Sequence, residues 1–161
     1  MKPLRYNLII PEQKPKLKAV FHRSGKNDMD VFTKKKRSEI MAKIGSKNTK
    51  VELFVFKELK KRKISFQKHY KKVPGSPDMA FLKRKIAIFI DGDFWHGYKF
   101  SERKNKLPKK YWLGKITNNI KRDKINRSKL RSLGWKFLRI WEHEIKKNPD
   151  LAIKKIIKFI K

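Results

Sequence analysis

Apolar positions along this chain fall into helical and strand periods that alternate from about residue 30 onward. Asp30 is a possible start of the main domain, and Thr33 can cap a helix running through Arg37, Ile40, Met41 and Ile44 to Gly45. In "SKNTKVELFVFKELKKRKISF", Val51, Phe54, Val55 and Leu59 form one apolar stripe. Asn48 or Thr49 can cap that helix, and Glu52 stands three residues after Thr49, the spacing of a capping box. Ile64 to His69 reads as a strand, and Val73-Pro74-Gly75-Ser76-Pro77 as a turn. "DMAFLKRKIAIFID" is a β-hairpin with Lys83-Arg84 near its tip and a buried second strand. Residues 101–110 form a polar basic loop, and Tyr111 to Leu133 a helix with Ile116, Ile120 and Leu130 on its apolar side, stopped by Gly134. "WKFLRIWEHEI" is a strand passing into a helix, and "NPDLAIKKIIKFIK" an amphipathic helix. The order α-α-β-β-β-α-β-α predicts an α/β fold with a mixed sheet flanked by helices.

Composition adds a partner. The 161 residues carry 46 Lys+Arg against 14 Asp+Glu, a formal net charge of +32. Such a charge repels itself in the compact state and calls for a polyanion, for which nucleic acid is the natural candidate. A lysine-rich proteome explains part of the excess, but thermophilic enrichment raises Glu as well, and Glu is scarce here. There is no cysteine, which excludes disulfides and thiolate metal sites. No apolar run approaches the roughly 18 residues of a membrane span, and no signal peptide opens the chain. The expectation is a soluble intracellular protein: a basic arm over residues 1–29, interrupted by Pro3, Pro11 and Pro15, then one domain over residues 30–161.

Chemistry concentrates in "IFIDGDFWHGYKF", residues 88–100. Pro77-Asp78 opens the first hairpin strand and Asp91 ends the second, so pairing can bring both carboxylates to one end of the sheet, where hard oxygen ligands gather Mg²⁺. Glu52 can supply a third acid, and His96 is a candidate general base or acid. This is the general pattern of the PD-(D/E)XK nucleases, with Asp93 standing where that motif carries Lys.

Read together, "RSEIMAKIGSKNTKVEL", "VPGSPDMAFL", "IAIFIDGDFWHG" and "YWLGKITNNIKRDKINRSKLRSLGWKFLRIWEHE" resemble the very short patch repair (Vsr) endonucleases in order and spacing, over roughly residues 30–145. The resemblance implies a restriction-endonuclease-like fold and a Mg²⁺-dependent endonuclease, with Mn²⁺ as a substitute. It implies nicking of duplex DNA 5′ of the thymine in a T:G mismatch, the product of 5-methylcytosine deamination. By position it implies Asp78 as a metal ligand, Ile90 as a backbone-carbonyl ligand, His96 as the residue activating water and Glu52 as an active-site acid. Phe94, Trp95 and Trp112 match aromatics that enter the DNA stack, and Met41 a wedge from the minor-groove side. Arg122 and Lys124 lie on the helix after Trp112 and are placed facing DNA. A monomer in the cytoplasm, associated with the nucleoid, is the corresponding expectation.

Two departures carry consequences. Asp91 replaces the family's second active-site histidine and is expected to bind metal directly. The family's structural zinc is excluded by the lack of cysteine; Asp93 and His143 fall at two of its ligand positions and are expected to meet as a hydrogen-bonded or ionic pair. Taken singly, several of these residues have plainer readings: Glu52 as a helix cap, Phe94, Trp95 and Met41 as core, His96 and His143 as structural. Trp135 and Trp141 are read as core. A restriction-type, nicking or structure-specific endonuclease on the same fold is the near alternative, and a non-catalytic basic nucleic-acid-binding protein the distant one. The distant reading offers no reason for Glu52, Asp78, Asp91 and His96 to recur in nuclease order.

Overall fold

The computed structural model describes residues 47–106 and 112–161, together with Lys35 and Glu39. Of the helix expected from Thr33 to Gly45 those two residues are described, both helical; the rest of it, Met41 included, and the basic arm lie outside the described residues.

Helix α1, Lys50–Lys61, starts at the expected cap: Thr49 Oγ1 accepts the Glu52 N–H at 3.3 Å. The return bond differs from a standard capping box, because Glu52 Oε2 takes the N–H of Asn48, one residue before the cap, at 2.8 Å. Val51, Val55, Phe56 and Leu59 are buried and seat the helix on the sheet, while Phe54 is only half-buried at the edge of the stripe.

The strand expected from Ile64 to His69 shortens to β1, Gln67–Lys68: residues 64–66 stand outside the ladder, and left-handed His69, at φ 47°, ends it. β2, Met79–Phe81, and β3, Ile86–Asp91, form the predicted hairpin, in register Met79↔Ile88 and Phe81↔Ile86. A 3₁₀ turn over Leu82–Arg84 and left-handed Lys85 close its tip. The loop expected over residues 101–110 holds a short helix, α2, Phe100–Arg103, and a 3₁₀ turn, Lys104–Lys106.

α3, Gly114–Ser132, runs over the face of the sheet opposite α1, with Ile116 and Leu130 buried beneath it and Ile120 half-buried. Its end is a Schellman motif: the Gly134 N–H reaches Arg131 O and the Trp135 N–H reaches Leu130 O, both at 2.9 Å, with Gly134 at φ 74°. β4, Lys136–Trp141, then pairs with β3 in parallel, from Ile86↔Lys136 to Asp91↔Trp141. The sheet order is β1-β2-β3-β4, antiparallel except for its last pair. α4, Glu142–Lys147, and α5, Pro149–Ile160, follow; Asn148 caps the latter by accepting the Leu151 N–H at 3.1 Å. The main core lies on one face of the sheet, where Ile86, Ile88 and Ile140 meet Val55, Phe56, Leu59, Ile145, Ile153 and Ile156. This is the expected mixed sheet flanked by helices, and it is of the restriction-endonuclease-like type. Among the described residues, no helix is long and apolar enough to cross a membrane.

Candidate active site

The C-terminal end of β3, the start of β2 and the N-terminal turn of α1 meet at one edge of the molecule. Asp78 is fixed there by the backbone of β3, its Oδ2 accepting the Ile90 N–H at 2.7 Å. Ile90, expected to act through its carbonyl, therefore adjoins Asp78 through its backbone. Glu52 is 3% exposed, its second oxygen accepting the Thr49 hydroxyl at 2.8 Å. His69 completes the group: ligand atoms of Glu52, His69 and Asp78 lie within 4.8 Å of one another. Its Nε2 is 3.0 Å from Asn48 Oδ1, and both residues are left-handed, at φ 47° and 53°, so the two chain reversals aim these side chains at each other. Burial, then the nearby charges of Glu52 and Asp91, push the Asp78 carboxyl up to about 7, against the opposing Ile90 hydrogen bond and the His96 charge.

Asp91, expected as a metal ligand, is 6% exposed and engaged by Arg139 through a short Nε–Oδ2 ion pair. Arg139 also donates to His96 O at 3.1 Å and lies 3.9 Å over the Trp141 ring, so Asp91 anchors this network. His96 follows in the turn over residues 92–99, where Gly97 is left-handed at φ 72° and a Cβ would collide with Ile120. His96 Nδ1 is 2.6 Å from Asp123 Oδ2 on α3 and 3.7 Å from Asp91 Oδ1. Burial opposes the imidazolium, but the Asp123 hydrogen bond and the charges of Asp91 and Asp123 outweigh it, and the His96 pKa is raised. Burial likewise opposes the Asp123 carboxylate; the His96 bond overrides it, and the Asp123 pKa is lowered.

Beside His96 opens a cavity of about 140 Å³, whose lining includes Asp123, Asn126, Arg122, Arg127 and Arg139. Burial, and then repulsion from Arg139, lower the Arg127 pKa, so an anion entering the cavity would relieve crowding among guanidinium groups. Arg122 pairs with Asp123 at 3.8 Å and is 62% exposed; Lys124 is exposed.

Next to the dyad, the three aromatics expected to meet DNA pack on one another. Phe94 stands edge-on to Trp95 at 5.1 Å and to Trp112 at 5.4 Å, and Trp95 lies 5.6 Å from Trp112. Trp112 is the floor of this cluster, 2% exposed, whereas Phe94 and Trp95 are half-buried above it. The expected meeting of Asp93 with His143 is present at 2.6 Å, with the Tyr98 ring 4.2 Å from His143. It ties the turn over residues 92–99 to α4. Trp135 and Trp141, read as core, are half-buried, stacked on Tyr70 and covered by Arg139 respectively.

Asp123, His69 and Arg139 escaped the reading of the sequence. Asp123 had a signal, as the one acid in a helix otherwise rich in Lys and Arg. His69 and Arg139 had none, for they reach the site through a backbone reversal and a cross-strand contact.

A histidine oriented by a carboxylate, beside a pair of acids and an arginine-lined cavity, defines a phosphodiester hydrolase on a restriction-endonuclease-like fold. The sequence matches the family described as DNA mismatch endonuclease Vsr over residues 29–102. The type II nicking enzyme V.HpaIIP of Haemophilus parainfluenzae is 41% identical over 136 residues, 80% of this chain and 96% of its own. The type II nicking enzyme V.NmeDIP of Neisseria meningitidis serogroup C is 35% identical over 130 residues, 80% of this chain and 88% of its own. The DNA mismatch endonuclease Vsr of Escherichia coli K12 is 33% identical over 126 residues, 76% of this chain and 80% of its own. The chain belongs to the Vsr family and is a DNA endonuclease.

Proposed function

We propose that the protein nicks one strand of duplex DNA at a T:G mismatch, on the 5′ side of the thymine, with a divalent cation held at Glu52 and Asp78. Mg²⁺ is the ion expected for oxygen donors, with Mn²⁺ as substitute. When bound, the cation polarises the phosphodiester and stabilises the charge that develops on it. The rest belongs to the chain. Asp123 takes the Nδ1 proton of His96 in a hydrogen bond, which leaves Nε2 as the basic nitrogen. Water loses a proton to that nitrogen as its oxygen bonds to phosphorus; the opposite phosphorus–oxygen bond breaks and the leaving oxygen takes a proton from solvent water. Arg122 and Arg127 hold the phosphate, and Arg139 keeps Asp91 and the carbonyl of His96 in place.

Phe94 and Trp95 are the wedge. Unstacking a base step costs a few kcal/mol, least at a mismatch, so a wedge doubles as a sensor. Their position directly before His96 couples finding the site to cutting it. Trp112 supports them from below, and Met41, Arg122 and Lys124 are assigned to the DNA surface. Action as a monomer, on nucleoid DNA in the cytoplasm, is part of this reading.

The observation that carries the proposal is the convergence of the Glu52–Asp78 pair, the His96–Asp123 dyad and the aromatic cluster at one edge of the sheet. Type II nicking enzymes among its relatives favour a second reading, a nick set by flanking sequence without a mismatch. End-labelled duplexes carrying each mismatch, and the matched controls, separate the two in Mg²⁺ and Mn²⁺. A single cut before T in T:G alone supports the proposal; equal cutting of matched DNA supports the second reading. No cleavage of any duplex, mismatched, matched or branched, would return the chain to the class of DNA-binding proteins.

A further inference from the structure

Glu52 and Asp78 sit in unusual company. The chain has 46 Lys+Arg, yet among the described residues neither carboxylate has a Lys or Arg ion-pair partner. The basic group reaching both is His69, with Nε2 3.8 Å from Glu52 Oε2 and Nδ1 3.9 Å from Asp78 Oδ1. Both separations are too long for hydrogen bonds. The Nδ1–Oδ1 separation suits two donors on a shared cation, since ligands each about 2.1 Å from an ion stand roughly 3–4 Å apart. Asn48 adds direction: its Oδ1 accepts Nε2–H of His69 at 3.0 Å, which leaves the lone pair on Nδ1, the nitrogen facing Asp78. A buried and a half-buried carboxylate in so basic a chain, with no guanidinium or ammonium against them, point to a cation from solution.

We infer that His69 is the nitrogen ligand of this cation site, binding through Nδ1 with Asn48 fixing its tautomer, and that it gives the site a preference for Mn²⁺-class transition ions over Mg²⁺. The inference rests on the cation site proposed above and deepens it. Mg²⁺ takes oxygen donors and keeps its waters, gaining little from imidazole, whereas first-row transition ions bind imidazole well. His69 lies on the turn between β1 and β2, so the selectivity is carried by an element separate from the catalytic dyad.

The test is direct binding to the full chain without DNA, independent of cleavage. Mn²⁺ is titrated with the free ion followed by electron paramagnetic resonance, and Mg²⁺ is measured by competition. Wild type should hold Mn²⁺ at least about tenfold more tightly than Mg²⁺. His69→Ala should weaken Mn²⁺ by about tenfold or more, the scale of losing even an outer partner of a ligand, and weaken Mg²⁺ far less. Pulsed resonance of wild-type protein with bound Mn²⁺ should show coupling to ¹⁴N, retained in His96→Gln and absent from His69→Gln. This reading of the wild type decides the matter even where a His69 variant fails to fold. Asp78→Asn separates the levels: it should lose both ions, and if it keeps them the cation site itself is wrong. If Asp78→Asn loses both ions while wild type shows no nitrogen coupling, or His69→Ala binds Mn²⁺ unchanged, the site stands and the role of His69 is overturned.

Discussion

Replacing Asp123 by Asn removes one charge from the active site and leaves its shape nearly unchanged. The His96 Nδ1–Asp123 Oδ2 contact is 2.6 Å, between side chains 28% and 15% exposed. A hydrogen bond to a charged group contributes about 1.5–3 kcal/mol, and partial exposure places this one near the lower end. If His96 takes a proton from water, the imidazolium formed in the transition state loses that support and the ring is free to adopt the other tautomer. A positioned base contributes about 10²–10⁴-fold, so His96→Ala should lose a factor in that range and Asp123→Asn about 10²-fold. The double variant should be no slower than His96→Ala, because Asp123 acts through His96. Single-turnover cleavage of the duplex that the mismatch screen selects measures all three. Losses that multiply in the double variant would show that Asp123 works independently of the histidine and would refute the dyad.

The pH dependence carries a second, signed check. The raised His96 pKa places the acid limb of the rate profile above the ordinary histidine value of 6.5, since the base form is needed. Asp123→Asn removes the anion that favours the charged ring, so the limb should move to lower pH. For stability, the raised His96 pKa means a contribution fully present below 6.5 and lost as pH rises through the folded value. The lowered Asp123 pKa means a contribution present above 3.8 and lost as pH falls through its folded value. These are two views of one bond. Urea melts should therefore show the variant's deficit, about 1.5 kcal/mol, at its largest between those limits. A limb that stays in place, or a deficit that grows on raising the pH past neutrality, contradicts the argument.

Other consequences are quicker to state. Arg139→Met leaves Asp91 buried without its cation and should cost about 3 kcal/mol in chemical denaturation, at the low end for a broken buried pair because Arg139 is 23% exposed; a neutral result would mean that Asp91 is solvated or protonated. Gly97→Ala forces a left-handed residue against Ile120 and should destabilise by roughly 1–3 kcal/mol, read as a lower thermal midpoint. Trp95→Ala should weaken binding to the mismatched duplex by the roughly 1–3 kcal/mol of a lost stacking platform and leave the matched duplex almost untouched. Equal weakening of both would assign Trp95 to general packing. Affinity for any duplex should fall with salt, with a logarithmic slope of about −0.9 per phosphate contacted.

What was legible in the chain follows from the range of each signal. Apolar periodicity is local, so α1, the β2–β3 hairpin and β4 were readable, and Gly134 marked the end of α3 because a Schellman turn needs a left-handed residue there. β1 was overread: Ile64 and Phe66 have strand-like character, but they pack against the core outside any ladder, and the strand proper holds two residues. The small helix α2 was missed because "FSER" contains too little apolar pattern to stand apart from a basic loop.

The site divided along the same line. Asp78, Asp91 and His96 were visible because strand ends and an adjoining turn concentrate their chemistry within one short stretch. Asp123 reaches His96 from 27 residues away through α3, and helical spacing explains how the two surfaces agree. Asn119 donates to Trp95 O at 3.0 Å, Ile120 packs against Gly97, and Asp123 lies three or four residues further along the same helix face. One stripe of α3 therefore carries the contacts to the turn over residues 92–99: an amide for its backbone, an isoleucine that only glycine can face, and the carboxylate for its histidine. A helix with so few buried residues is positioned by its polar contacts as much as by its core. The Gly97→Ala substitution should consequently lower the cleavage rate by more than its effect on stability explains, by separating His96 from Asp123. An activity loss that disappears wherever the variant is fully folded would show that the turn and the helix are not coupled in this way.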